Sequence, residues 1–461
     1  MMINRRSLLR RGAQSAVSLG VSSIAPLSLL GSAAVRAEED YRAIVCVLLA
    51  GGADSYNILV PRSEQAYAQY QHRRSDLALS RNDLLPLEGA HAGVSFGVHP
   101  AMSSFQQRFN AGQATVVTNI GPLVEPTTRM ALEAGSVRLP LGLFSHSDQI
   151  LSWQTATPAN RAGTGFGGRM LDAMPGANTG LALAGNISLS GNNSFQAGAA
   201  TGSYAVSATD GVRRIAGYDN DVFRRYFDRF LENPNASTLG RVYGSKVQSA
   251  IETGDVFNSA LEGATTLSTP FSEHYFSAAM KRIAELMSVR DSLGVTRQTF
   301  FVTYGGWDHH EDTLGQQADM LPALDAGLGQ FQVALEELGL SNSVTTFTIS
   351  DFGRTLTSNG KGSDHGWGGN AMIMGGAVQG GQLYGHFPEQ VEDNPLDVGR
   401  GRFLPSTATD AMYAEVSRWM GVALSHSGRC CPTGQTLREA LKVRGLRVCW
   451  LASVAPLPTK S

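Results

Sequence analysis

Acidic and imidazole side chains cluster at two places in the sequence. Asp308, His309 and His310 follow the apolar run 299–304, and Asp364 and His365 lie near the end of a glycine-rich segment, 353–369. Aspartate and histidine together suit a divalent transition metal. A polar turn and a flexible surface loop are the alternatives for these two clusters. Their residue types predict a metal site.

A third cluster, "SHSD" at 145–148, places hydroxyl groups beside an imidazole and a carboxylate. Ser145 and Ser147 are candidate nucleophiles, and His146 is a candidate for proton transfer. Three interpretations stay open: a Ser-His-Asp triad, whose members must meet in space, a serine activated by a metal, and a serine that caps a helix.

Short apolar runs that end in glycine or polar residues must position these clusters. Strand length and β-branched content predict strands at 42–54, 114–121, 299–308 and 343–353. Their continuous apolarity is typical of strands buried on both faces. Amphipathic stretches predict helices at 216–232, 273–290 and 316–338. This alternation indicates an α/β fold with a largely parallel sheet.

Three of the predicted strands run into an aspartate: Asp54, Asp308 and Asp351. In open α/β sheets the ligand site lies beyond the carboxyl ends of the strands. We therefore expect these carboxylates at one edge of the sheet, with ordinary turn or cap residues as the alternative.

A stretch rich in Gly, Ser, Asn and Ala, 186–215, interrupts this pattern. It predicts a hairpin inserted on the sheet. A helical segment to about residue 292 follows it, so that the insertion covers about 186–292.

The first 37 residues have the pattern of a twin-arginine signal peptide. Arg5 and Arg6 precede a weakly apolar run, and a cut is expected after Ala37. The run is too short and too rich in serine for a stable membrane anchor. The protein is expected to be bacterial, to engage the twin-arginine translocase during export, and to be periplasmic or secreted.

The charge balance makes nucleic acid an unsuitable partner. Five of the 37 basic residues lie in the signal, which leaves 32 against 39 acidic residues, a net charge of −7. Phosphate backbones require a basic surface.

Residues 38–426 are expected to form the α/β domain.

The tail, 427–461, differs in character, with six basic residues against one acidic residue. A shifted reading frame is one interpretation of this segment. A natural basic extension and an accidental match between frames are the other two.

Several pieces, in this order, resemble a known family. They are "LLAGGADSYNILVP", "SHSDQILSWQ", "GGWDHH", "SDFGRT" and "GSDHGWGG", within about 41–424. In them the chain resembles the exported bacterial proteins of domain-of-unknown-function family 1501, which is similar to a branch of the alkaline phosphatase and sulfatase superfamily. The resemblance implies parallel strands with helices on both faces and a two-metal site at the strand ends.

The resemblance also implies roles for individual residues. A first metal would be held by Asp308, His310 and His365. A second would be held by Asp54, Asp351 and a serine, Ser145 or Ser147. Arg354 would bind a substrate oxyanion. Two departures from the superfamily pattern are Phe352, which stands where a ligand histidine is common, and the short spacing between Asp308 and His310.

Together these features predict an exported, metal-dependent hydrolase of phosphate or sulfate esters. One or two divalent ions, zinc, manganese or calcium, are expected, with His146 moving a proton. The substrate would be a small-molecule or polymer ester. The alternative is an exported binding or assembly protein that keeps the fold without the chemistry.

Overall fold

The computed structural model describes residues 41–180, 182–209, 215–233 and 237–423. All of them belong to one compact unit that begins at Tyr41. The predicted signal peptide and the atypical tail, 427–461, lie outside the described residues.

The predicted apolar strands form the centre of a nine-stranded sheet. Its strands are β1 (Arg42–Ala50), β5 (Ala114–Gly121), β6 (Asn186–Ser188), β7 (Tyr204–Ala205), β8 (Arg297–Gly305), β9 (Val344–Ser350), β10 (Gly369–Met374), β11 (Leu383–Gly385) and β12 (Thr407–Ala408). The order is β11-β5-β10-β9-β1-β8-β6-β7, with β12 beside β5. Strand β10 runs antiparallel to both of its neighbours, and the other pairs are parallel. The expected largely parallel sheet is confirmed.

Strand β1 lies between β8 and β9, and the register of the three strands brings their carboxyl ends level. Leu49 is opposite both Tyr304 of β8 and Ser350 of β9. The loops that carry Asp54, Asp308 and Asp351 therefore leave the sheet side by side.

Helices cover both faces of the sheet. They are α1 (Glu64–Arg74), α2 (Ser103–Asn110), α3 (Arg129–Glu133), α4 (His146–Thr155), α5 (Phe166–Asp172), α6 (Asp221–Leu231), α7 (Thr238–Glu262), α8 (Tyr275–Ser288), α9 (Arg290–Leu293), α10 (Thr313–Glu337) and α11 (Thr409–Met420). Two short 3₁₀ turns occupy Ser75–Leu77 and Ala182–Gly185.

Alternate side chains of β1 enter two separate cores, because successive residues of a strand point to opposite faces. Val45 and Val47 pack in the core that α8 and α10 complete. Ile44 and Cys46 pack in the core that α4, α5 and α11 complete. This two-sided burial is the physical reason for the continuous apolarity of the strand.

The segment from 186 does not form the expected hairpin. Strands β6 and β7 pair in parallel, and β6 also pairs in parallel with β8, so both extend the main sheet. A hairpin needs a tight turn between antiparallel strands, whereas residues 189–203 connect these strands by a longer crossover. Helix α8 packs against α10 in the main core and so belongs to the body of the domain.

A second, antiparallel sheet joins β2 (Leu59–Pro61), β4 (Phe96–Val98) and β3 (Leu85–Pro86) in that order. Among the described helices, none combines the length and apolarity needed to cross a bilayer.

Candidate metal centre

Two strand-end loops approach each other so closely that one position admits only glycine. Gly51, just after β1, has φ +121°, and a Cβ there would lie 2.5 Å from the backbone nitrogen of Asp308. Left-handed backbone of this kind is strained for other residues. Gly51 therefore allows the β1 loop to lie against the β8 loop and fixes Asp308 beside the start of the β9 loop.

Asp308, His310 and His365 converge at this edge. Asp308 Oδ1 lies 3.1 Å from His310 Nε2 and 3.4 Å from His365 Nε2. The two imidazole Nε2 atoms are 3.0 Å apart. The structure thus brings together the three residues expected to hold the first metal.

Each of these rings uses its other nitrogen to donate a hydrogen bond. His365 Nδ1 lies 2.9 Å from the carbonyl oxygen of Phe144, and His310 Nδ1 lies 3.3 Å from Asp364 Oδ1. Carbonyl and carboxylate oxygens only accept, so Nδ1 carries the proton in both rings. In the neutral rings the Nε2 lone pairs then face each other and the Asp308 carboxylate. Arg354 supplies one positive charge at this point, with Nη1 3.5 Å from His310 Nε2, and a bound cation would supply more.

His146, at the start of α4, joins the cluster from the other side. Its Nε2 lies 3.5 Å from Asp308 Oδ2, and its Nδ1 lies 2.7 Å from Asp351 Oδ2. The ligand atoms of His146, Asp308 and His365 all lie within 4.8 Å of one another. Asp351 therefore fixes the ring so that its Nε2 lone pair faces the centre.

The spacing of these atoms fits a divalent ion. Zinc–nitrogen bonds of about 2.0–2.1 Å in a tetrahedron place ligand atoms about 3.3 Å apart. The separations within the Asp308, His310 and His365 triangle run from 3.0 to 3.4 Å. Histidines held by an acceptor at the second nitrogen are typical of protein metal sites. The residues present therefore fit the expected metal.

Electrostatics favour the ionised form of Asp308 and the neutral form of His365. Partial burial raises the pKa of Asp308, but the hydrogen bond and charge of Arg354 outweigh it and leave the pKa below its usual value. Burial lowers the pKa of His365. These are the protonation states in which both groups bind metals.

Arg354 does not suit the expected role of oxyanion binding. Its guanidinium is fully buried and donates to the carbonyl oxygens of Gly51, Gly52, Trp307 and Ser363, and to Asp308. The remaining Nη1 N–H faces His310 Nε2 at 3.5 Å. Arg354 instead ties the three strand-end loops together.

Asp54 is engaged by protein groups and does not belong to the His146, Asp308 and His365 cluster, contrary to the expected second-metal ligand set. Its fully buried carboxylate pairs with Arg74 of α1 and accepts a hydrogen bond from the hydroxyl of Ser363, at 3.2 Å. A buried charge is costly unless it is paired. The ion pair with Arg74 accounts for a buried carboxylate just after β1 without a metal ion.

Asp351 does not fit the second ligand set either. Its carboxylate is 1% exposed; Oδ1 accepts from the backbone N–H of Gly51 at 3.0 Å, and Oδ2 accepts from His146. The geometry assigns Asp351 to the orientation of His146.

The candidate nucleophiles lie at the start of α4. Ser145 precedes the first helical residue, and its hydroxyl lies 3.4 Å from that of Ser147, which is exposed. Asp148 forms an ion pair with Arg161. Asp148 is therefore not the acid of a Ser-His-Asp triad, because the carboxylate paired with His146 is Asp351.

Phe352 forms an apolar wall beside the histidines. Its ring centroid lies 4.4 Å from that of His365 and 5.0 Å from that of His146. The phenyl ring offers no ligand atom to the cluster. His309 is fully buried against Trp307.

Two acceptors that orient the histidines were not assigned that role from the sequence. The carbonyl of Phe144 carried no signal, because any residue offers one. Asp364 was visible beside His365, but its contact with His310 depends on the backbone of the 353–368 loop, where Thr355 N donates to Asp364 O at 2.9 Å.

The fold and the site together define an α/β protein with a histidine and aspartate cluster at the carboxyl ends of its central strands. The chain belongs to the protein family of unknown function DUF1501, whose model matches residues 41–400.

Several solved structures are similar to this chain. Ps i-CgsB in complex with k-i-k-neocarrahexaose is 12% identical, with a TM-score of 0.35, over 83% of this chain and 72% of that one. The PsFucS1 sulfatase from Pseudoalteromonas sp. is 11% identical, with a TM-score of 0.34, over 92% and 78%. A variant of the alkaline phosphatase PafA is 12% identical, with a TM-score of 0.23, over 68% and 63%. Comparison with curated proteins gave no significant match.

Proposed function

We propose that this protein is an exported hydrolase of phosphate or sulfate esters that depends on one divalent metal ion. The observation that carries the proposal is the convergence of two imidazole Nε2 lone pairs on Asp308, with both Nδ1 atoms already engaged. Asp308, His310 and His365 would hold the ion. A divalent ion there supplies Lewis-acid stabilisation for a charged ester group.

The chain's own groups then prepare the attack of water on the ester. Asp351 accepts a hydrogen bond from Nδ1–H of His146, so the lone pair of His146 is on Nε2 and can take a proton from the water. The side chain of His146 is 37% exposed, whereas that of Asp351 is 1% exposed. The base is thus open to substrate while its orienting partner is shielded.

Metal analysis and ester hydrolysis by the purified protein test this function. The wild type should retain about one zinc or manganese ion per chain and cleave a nitrophenyl phosphate or sulfate. Asp308→Ala and His365→Ala should lose metal and activity together. Asp221→Ala and His72→Ala, at exposed positions, are matched controls that should keep both. A wild-type protein that holds no metal and cleaves neither ester contradicts the proposal.

A second candidate is an exported binding or assembly protein without catalysis. Phe352 favours it, because an apolar ring stands beside the histidines where a second metal ligand would complete a two-metal site. Unchanged metal content and cellular phenotype in Asp308→Ala and His365→Ala would favour this candidate.

A further inference from the structure

The loop 397–403 is built rigidly next to the metal centre. The Asp397 carboxylate accepts from the backbone N–H groups of Gly399, at 2.8 Å, and Gly401, at 2.9 Å. It also pairs with Arg73 at 2.6 Å, with both side chains at most 9% exposed. This buried pair holds a short turn that presents Arg400 and Arg402.

Both arginines contact groups that hold the metal-binding histidines. Arg400 Nη1 lies 2.6 Å from Asp364 Oδ2, and the other oxygen of Asp364 accepts from His310. Arg402 Nε donates to the carbonyl oxygen of His365 at 2.8 Å, and its guanidinium lies 5.4 Å from the centre of the Phe144 ring. The loop therefore places two guanidinium groups in contact with Asp364 and His365, next to the metal centre.

The three arginines at this centre differ in how many N–H groups are not engaged by protein acceptors. Arg354 is fully buried and gives four of its five N–H groups to protein oxygens, and the fifth faces His310 Nε2. Arg400 is paired with Asp364. Arg402 is half-buried, and in the described structure its two terminal amino groups have no hydrogen-bond partner. Arg402 is thus the arginine with free donors beside His365.

An anionic substrate needs such a group. Three carboxylates, Asp308, Asp351 and Asp364, surround the cluster and would repel a phosphate or sulfate. Arg354 and Arg400 offset two of these charges through ion pairs. The planar fork of a guanidinium matches two oxygens of a tetrahedral oxyanion.

We propose that Arg402 binds the phosphate or sulfate group of the ester substrate. This inference rests on the proposed function and gives Arg402 the role that the family resemblance implies for Arg354. Arg402 Nε would keep its hydrogen bond to the His365 carbonyl while the two terminal amino groups donate to the anion. The substrate would then be held in a fixed position relative to His365, a proposed metal ligand.

Titration with inorganic phosphate and, separately, inorganic sulfate tests the inference by calorimetry on the metal-loaded protein. Arg402→Gln should weaken binding of the preferred anion, and raise KM, by about 10- to 100-fold, the effect of one lost charge-assisted interaction. Arg402→Lys should recover part of the affinity, because it keeps the charge but not the fork. Arg224→Gln, at an exposed arginine of α6, should behave as the wild type.

Each other result overturns the inference. Wild-type anion affinity and KM in Arg402→Gln would show that the guanidinium does not meet the anion. Loss of metal in a folded Arg402→Gln protein would show that the arginine acts through the His365 carbonyl instead. Failure of the proposed function gives a different result. If the wild type hydrolyses neither ester, the proposed function fails. If the same wild type still binds phosphate or sulfate and the Arg402→Gln variant does not, the anion site is supported.

Discussion

Asp351→Asn is the sharpest perturbation of the proposed chemistry, because it preserves shape while reversing one hydrogen bond. Asp351 accepts two N–H groups, from the backbone of Gly51 at 3.0 Å and from His146 at 2.7 Å. An asparagine has one accepting oxygen and one donating nitrogen. The Gly51 N–H cannot change its character, so the amide oxygen faces Gly51 and the amide nitrogen faces His146.

The imidazole must then change tautomer. With a donor opposite Nδ1, the neutral ring of His146 places its proton on Nε2, which lies 3.5 Å from Asp308 and faces the centre. A general base contributes about 10²- to 10⁴-fold to a rate. We expect kcat to fall by that factor, equivalent to about 3–5 kcal/mol of transition-state stabilisation, with metal content unchanged.

The assay is steady-state ester hydrolysis with metal analysis on the same samples. Asp148→Asn, on the first turn of the same helix, is the matched control, because its carboxylate pairs with Arg161 rather than with a histidine. Wild-type kcat in Asp351→Asn would refute the role of His146 as base. Loss of metal together with activity would refute it differently, by showing that His146 is a ligand.

Three further outcomes follow from the same contacts. Asp364→Asn should weaken metal affinity about 10- to 100-fold, measured by competition with a chelator, because it disturbs the acceptor that orients His310; unchanged affinity would remove His310 from the ligand set. Metal at about 100 times its Kd should add about 2.7 kcal/mol to stability, or about 3 °C in Tm for a domain of this length, and chelation should reverse it; an equal shift in His365→Ala would place the ion elsewhere. Arg74→Met should lower the free energy of unfolding in urea by about 3–5 kcal/mol, because it leaves the fully buried Asp54 unpaired; a loss below about 1 kcal/mol would contradict that account.

The fold was predictable where the sequence pattern reports burial directly. Strand β1 is buried on both faces, so its apolar run is unbroken and its end is marked by glycine. The segment after 186 was harder, because β6 and β7 have three and two residues. Strands so short carry no period, and their parallel pairing depends on the neighbouring β8.

The site was predictable in its residues more than in their roles. The sequence places Asp308, His310 and His365 at strand ends or in the glycine-rich loop, and parallel strands bring such ends together. Roles depend on which acceptor each polar atom reaches. Asp54 and Asp308 look equivalent in sequence, because each follows a predicted strand. In the structure Asp54 forms an ion pair with Arg74, whereas Asp308 lies among the histidines. Nothing local to either aspartate distinguishes them.

Arginine roles are similarly decided by burial. Arg354 lies three residues after the strand-end Asp351 and so attracts a functional interpretation, but its full burial places it among backbone carbonyls, to which Nε and both terminal amino groups donate. Arg402 lies in a segment with no such motif, and its exposure leaves donors free. Both residues are simply arginine in the sequence. The structural role and the ligand-binding role are distinguished by the number of N–H groups that protein acceptors engage, which the sequence does not show. In the proposed hydrolase, Arg354 positions the ligand set and Arg402 binds the anion.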